Sequence, residues 1–221
     1  TARGTGRTLA RADLDFSASG LVARQSEGPS AKFEQLGGVL SVIHAGDRWS
    51  LSGRRVRAVR AGRRDPDSQF DVSWRGGAAG LLDLRGRASY LRADTLLPLS
   101  GLLPDKTLRD RLRDVAPSGE WTDARIQLSR NTASEPWRLE VQAKFRGVGF
   151  AAMGRAPGLR GLSGSIAGTE SGGRVDIDTH TAAFNWPQQF AQPIDLTSLK
   201  ATLYWKRTAY GLLVATPDWQ M

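Results

Sequence analysis

Residues 138–145 read Arg138-Leu139-Glu140-Val141-Gln142-Ala143-Lys144-Phe145, and this stretch decides the fold class. Leu139, Val141, Ala143 and Phe145 point one way while Arg138, Glu140, Gln142 and Lys144 point the other. That period of two marks a strand with one buried and one wet face. The same alternation sets Leu199, Ala201, Leu203 and Trp205 against Lys200, Thr202, Tyr204 and Lys206, and Ala12, Leu14 and Phe16 against Arg11, Asp13 and Asp15. Phe70, Val72 and Trp74 repeat it. Gly46-Asp47, Asp65-Pro66-Asp67 and Gly172-Gly173 separate these runs as turns.

An internal repeat runs through the strands. Apolar residues at relative offsets 0, 3, 7, 16 and 18 recur four times. The copies are Phe33, Leu36, Leu40, Trp49 and Leu51; Trp121, Ala124, Leu128, Trp137 and Leu139; Leu159, Leu162, Ile166, Val175 and Ile177; and Leu196, Leu199, Leu203, Leu212 and Val214. Turn residues occupy the gap between offsets 7 and 16, so each copy reads as a β-hairpin that buries one face. At 40% apolar content roughly two such matches arise by chance. The weight therefore lies with the last three copies, which start 38 and 37 residues apart, as hairpins added side by side in one antiparallel sheet would.

One helix interrupts the pattern over residues 105–115. Asp105 suits the N-cap and can pair with Arg109, Leu108, Leu112 and Val115 form an apolar stripe, and Pro117 and Gly119 stop the helix. At this length it must dock its stripe on the sheet to be stable. The preceding Leu96, Leu97, Leu99, Leu102 and Leu103 read either as a core cap or as a segment that contacts lipid or plugs the end of a groove. The whole chain, 1–221, is expected to be one continuous β segment with a first β section at 1–94, the Leu-rich segment and helix at 95–119, and a hairpin-repeat section at 120–221. Opening at Thr1 rather than Met, it is expected to belong to a longer protein.

Composition excludes several functions. The chain has no Cys, which removes disulfide scaffolds, thiol enzymes and cysteine-ligated zinc. Its longest Leu-rich stretch, 96–104, is interrupted by Pro and Gly and falls short of the roughly 20 apolar residues of a membrane span. With 31 Lys and Arg against 22 Asp and Glu the net charge is +9, which points to an anionic partner, either nucleic acid or phospholipid head groups. The densest basic cluster is Arg54, Arg55, Arg57, Arg60, Arg63 and Arg64. It reads first as the solvated face of a strand with Val56 turned inward, and alternatively as a phosphate-binding edge.

No constellation carries catalysis. His44 and His180 are the only imidazoles and neither has a second ligand at metal spacing. Asp13 with Asp15, and Asp176 with Asp178, place paired carboxylates on one strand face, as acid/base chemistry needs, yet on the polar side where solvated charges belong. Gly4-Thr5-Gly6 and the glycines of 158–164 lack the Lys-Ser/Thr of a phosphate loop and read as turns. Seven Trp among many Arg would suit single-stranded nucleic acid, but Trp49, Trp137 and Trp205 fall on the inward side of alternating strands. The chain is read as a non-enzyme without cofactor or metal.

Leu96-Leu97-Pro98-Leu99, Leu102-Leu103-Pro104, Leu108-Arg109-Asp110, Leu112 and Ala116-Pro117-Ser118-Gly119-Glu120 resemble the YhdP branch of the AsmA-like proteins of Gram-negative bacteria. So do Phe145-Arg146-Gly147-Val148-Gly149, Pro157-Gly158-Leu159-Arg160-Gly161-Leu162-Ser163-Gly164 and the stretch 168–173; the resemblance is carried by residues 95–221. It implies a periplasmic segment of a very long protein tethered to the inner membrane, with a curved β-sheet that encloses an apolar groove for phospholipids moving toward the outer membrane. The fold expected is thus an all-β, elongated and curved antiparallel sheet of hairpins, groove-like, with one short helix. Its groove would be lined by Leu36, Leu40, Trp49, Leu51, Leu128, Trp137, Leu139, Val141, Ile166, Val175, Ile177, Leu203, Trp205 and Leu212, with Arg54, Arg55, Arg57 and Arg60 at a head-group edge. The partners expected are phospholipids and other envelope proteins, with membrane contact through other parts of the parent protein. A basic nucleic-acid-binding β-protein and a structural repeat module are the alternatives, nucleic acid being disfavoured.

Overall fold

The computed structural model describes residues 2–5, 8–23, 31–77, 80–97, 106–132, 134–154, 156–217 and 219–220. The fold is an open antiparallel sheet with two short helices. The strands are β1 (Ala2–Thr5), β2 (Thr8–Ala23), β3 (Ala31–Ala45), β4 (Arg48–Arg60), β5 (Arg63–Arg64), β6 (Ser68–Gly77), β7 (Gly80–Arg92), β8 (Ser118–Ser129), β9 (Arg138–Phe150), β10 (Gly158–Thr169), β11 (Gly172–Thr179), β12 (Ala182–Asn185), β13 (Ile194–Leu196), β14 (Leu199–Thr208), β15 (Gly211–Ala215) and β16 (Trp219–Gln220). Helices α1 (Ala93–Leu96) and α2 (Lys106–Val115) lie between β7 and β8. The chain packs as two compact units, one of residues 1–22, 32–90 and 123–142 and the other of residues 23–31, 91–122 and 143–221.

In the first unit the strand order is β1-β2-β3-β4-β6-β7, continued by its residues of β8 and β9. The Gly46-Asp47 turn closes the β3–β4 hairpin with Ala45 opposite Arg48. Further along, Gly37 faces Arg57 while Val39 faces Arg54, so β4 carries one extra residue. Arg55 occupies this bulge with φ 50. The bulge restores phase: Leu36 lies opposite Ala58 and Leu40 opposite Gly53, and apolar residues stay on one face on both sides of it. At the end of β4 the chain reverses through Ala61 (φ 52) and Gly62 (φ 72), where the Gly62 N–H donates to the Glu34 carboxylate at 2.9 Å.

In the second unit the order is β8-β9-β10-β11-β14-β15. Strand β10 divides its pairing, with Leu159 opposite Phe184 of β12 and Ile166 opposite Val175 of β11. The glycines of 158–164, read above as turns, therefore lie within a strand. Their role is close approach: a Cβ on Gly164 would strike the carbonyl oxygen of Asp176, and one on Gly161 that of Thr181. Helix α2 matches the expected helix to within a residue, whereas α1, a single turn, was not expected. The Val115 carbonyl at the end of α2 accepts from Ala151 N–H at 2.8 Å, and buried Arg92 pairs with Glu120 at 3.4 Å. Asp105, Leu99, Leu102 and Leu103 lie outside the described residues.

Closed core is scarce. Among the described residues Phe33 is the one large side chain that is fully buried, and most other buried apolar residues are alanines: Ala58, Ala88, Ala143, Ala182 and Ala183. Ala61 holds a left-handed backbone that costs an L-residue about 1 kcal/mol. Ala61→Gly is therefore expected to raise stability by up to about 1 kcal/mol, read as a higher urea midpoint at unchanged slope.

Candidate functional site: the apolar face of each unit

In the first unit three rungs cross β3, β4, β6 and β7. Leu40, Gly53, Phe70 and Ala88 form one, Val42, Leu51, Val72 and Gly86 the next, and His44, Trp49, Trp74 and Leu84 the third. Directly paired residues share a face, so Leu36, Leu40, Trp49 and Leu51 stand together. The third rung is a stack: His44 lies 4.1 Å from Trp49, and Trp49 6.1 Å from Trp74 at 9°. Phe70 covers Gly53, where a Cβ would meet its ring. Trp49 remains 39% exposed and the other large side chains of these rungs are half-buried. No second layer closes this face among the described residues of the unit. Leu128, Leu139 and Val141 are half-buried on β8 and β9, and Trp137 precedes β9 with the Arg130 guanidinium 4.5 Å from its ring.

In the second unit Ile166, Val175 and Leu203 form a rung, as do Gly164, Ile177 and Ala201, and Gly168, Gly173, Trp205 and Val214. Leu212 lies opposite Arg207, two residues beyond Trp205, and shares its face. Trp205 rests on Gly168 and Gly173, where side chains would collide with its ring, and its Nε1–H donates to the Thr169 carbonyl at 3.0 Å. Ile177 is buried, while Leu212 is 65% exposed. Sequence reasoning left Phe70, Val72 and Trp74 out of the apolar face although their alternation was legible. It missed Val42, which follows the same parity as Leu40.

The opposite faces are polar and paired. Arg11 donates to Asp13 twice, from Nε at 2.8 Å and from a terminal nitrogen at 3.1 Å, and Ser41 also hydrogen-bonds that carboxylate. Arg174 and Thr202 hold Asp176 in the same way, Thr202 at 2.8 Å. Arg11 and then Ser41 push the Asp13 carboxyl down to about 2, and Arg174 and then Thr202 lower that of Asp176. Carboxylates so held are poor proton donors near neutral pH. Asp178 pairs with Lys200 at 3.4 Å, and Asp71 with Arg87, directly across the ladder, at 2.9 Å.

Arg54, Arg55, Arg57 and Arg60 lie on β4, which β3 and β6 flank, so they occupy a face of the sheet, while Arg63 and Arg64 form β5. Arg54 and Arg57, opposite Val39 and Gly37, are out of phase with Leu40 and Leu36 and point to the polar side. Arg57 Nε donates to Asp67 at 3.0 Å, Arg55 sits in the bulge, and half-buried Arg60 precedes the turn. His180 is exposed, and among the described residues no group of His, Asp and Glu gathers as a metal site.

A family model described as YhdP protein matches residues 2–221. The chain belongs to the YhdP family. The match takes in the first 94 residues as well as the Leu-, Gly- and Pro-rich motifs that carried the resemblance. Family membership associates the chain with the bacterial envelope and points, at the level of the family, to lipid transport there. Comparison with curated proteins and with solved structures returned no match. Among the described residues no helix is long and apolar enough to cross a membrane.

The Asp13 value carries a pH signature. Because it is depressed in the fold, Arg11 and Ser41 stabilise the protein above the unfolded carboxylate pKa of about 3.9, and that contribution is lost as pH falls toward about 2. Asp13→Asn is expected to lower the urea midpoint at pH 6, with the gap to wild type closing between pH 4 and 2. A gap that stayed constant over that range would show that the Asp13 charge is not what the pair stabilises.

Proposed function

We propose that the apolar faces serve as a section of a hydrophobic path that carries phospholipids between the inner and outer membranes of a Gram-negative envelope and so supports the outer-membrane barrier. In this reading the segment is periplasmic and non-enzymatic, works without cofactor or metal, and is tethered to the inner membrane by other parts of its parent protein. The observation that carries the reading is the large, half-exposed apolar surface that register builds on one face of each unit, where a soluble core would be closed. Family membership gives it a context in lipid transport.

The mechanism is partition. Each acyl methylene withdrawn from water gains about 0.8 kcal/mol, and movement requires that neighbouring positions bind equally well. Phosphate head groups stay in water, drawn weakly by the net charge of +9. The stacked rings of His44, Trp49 and Trp74 pack on one another, an arrangement that favours an apolar lining over base stacking.

The test uses charge. An ionised side chain in a closed core costs several kcal/mol, whereas on an open face it reaches water. Leu203→Asp or Val141→Asp is expected to shift the melting temperature by no more than about 2–4 °C per kcal/mol lost, while phospholipid recovered by extraction and mass spectrometry falls severalfold. In the full-length parent the same variants should fail to restore the outer-membrane barrier. Cooperative melting near wild type with undiminished lipid and a restored barrier would remove the apolar face as the path, and copurifying nucleic acid in place of lipid would favour the nucleic-acid reading.

A further inference from the structure

An open cleft of about 460 Å³ in the first unit lies where β2, β3 and the β4 bulge meet. Asp15, Gln35, Arg55 and Arg57 line it beside the bare backbone of Gly37, and so do the apolar Phe16 and Leu36. Its charged residues belong to the polar side. Arg57 lies opposite Gly37, one position out of phase with the Leu36–Ala58 rung. Asp15 is two residues from Asp13, whose partner Ser41 is likewise out of phase with Leu40.

The charges in the cleft are available. Among the described residues the side chains of Asp15 and Arg55 make no hydrogen bond or ion pair, and Arg57 engages Asp67 through Nε. Carboxylate and guanidinium thus border one cavity without pairing to each other. The bulge is what presents Arg55, since the left-handed φ of 50 re-aims that position out of the strand's alternation. Guanidinium groups suit a phosphoryl oxygen pair, and a lone carboxylate repels a simple anion but accepts an ammonium. Neutralising both at once calls for a solute that carries the two charges together.

We propose that this cleft binds a phosphoryl-ammonium zwitterion of the phosphoethanolamine type, with Arg55 and Arg57 on the phosphoryl oxygens and Asp15 on the ammonium. The charges of the cleft carry this assignment by themselves, apart from the lipid path. The free solute and a lipid head group presented at a membrane surface share this chemistry.

Calorimetric titration at low salt with O-phosphoethanolamine and with inorganic phosphate tests it, alongside flotation with vesicles containing or lacking phosphatidylethanolamine. Wild type is expected to bind O-phosphoethanolamine at least fivefold more tightly than phosphate, or to float only with the phosphatidylethanolamine vesicles if the membrane is the source. Arg55→Ala should weaken that binding about tenfold, the scale of one charge-assisted hydrogen bond pair. Asp15→Asn should weaken O-phosphoethanolamine severalfold yet leave phosphate equal or tighter, a reversal that general unfolding cannot produce. Arg55→Gly removes the guanidinium while relieving the backbone, so its loss of binding with an unchanged or higher melting temperature separates ligand contact from folding. Equal affinity for phosphate and O-phosphoethanolamine, insensitivity to both Asp15→Asn and Arg55→Gly, or no binding by solute or vesicle would overturn the proposal.

Discussion

A slip of one residue between β4 and β6 would send Leu51 and Trp49 to the side of Asp71 and Arg75, so strand register is the constraint on which the rest of this structure depends. Register is held by the turns and by the bulge. Gly53 and Ala58 are five residues apart and would lie on opposite faces of a regular strand, while their partners Leu40 and Leu36 are four apart and lie on the same one. The extra residue at Arg55 resolves this conflict. A strained backbone at one position thereby keeps an entire apolar face in phase.

Alternation was legible wherever a strand runs without interruption. In β9 exposure alternates from Arg138 to Lys144 as the residue types do, and the four copies of the repeat follow the hairpins β3–β4, β8–β9, β10–β11 and β14–β15, except that Trp137 precedes β9 and Leu196 lies in β13. What the sequence concealed were the places where the backbone leaves the simple pattern. The odd step from offset 0 to offset 3 is accommodated in two copies by left-handed residues, Asp123 (φ 52) and Gly161 (φ 82), whose need for a bulge no composition rule reveals. The glycines of 158–164 look like turn residues by type, yet they serve close strand approach, which depends on neighbours far away in sequence. The apolar surface was readable in part, since the rungs depend on pairings such as Trp49 with Trp74 that alternation alone does not specify.

The polar faces show why a net charge of +9 says little about function by itself. Arg-x-Asp followed by a hydroxyl on the neighbouring strand occurs in each unit, as Arg11, Asp13 and Ser41 and as Arg174, Asp176 and Thr202. In both, the arginine is used locally, on an exposed carboxylate where it acts in sheet cohesion. Arginines of this kind contribute to the long-range field without forming a site. Those on the β4 bulge differ because Arg55 has no such carboxylate beside it among the described residues.

On the apolar side the units share a second device, an aromatic ring laid over glycine on the paired strand. Phe70 covers Gly53, and Trp205 covers Gly168 and Gly173. The ring fills the space a Cβ would take and lies close to the sheet, so it adds apolar area with little relief. That matters for a surface proposed to pass acyl chains along. A pocket that buried three more methylenes than its neighbours would hold a chain about 2.4 kcal/mol more tightly and delay its departure roughly 50-fold. Flattened aromatics avoid such traps while keeping water away from the backbone, which is the combination a conducting surface needs and a binding site does not.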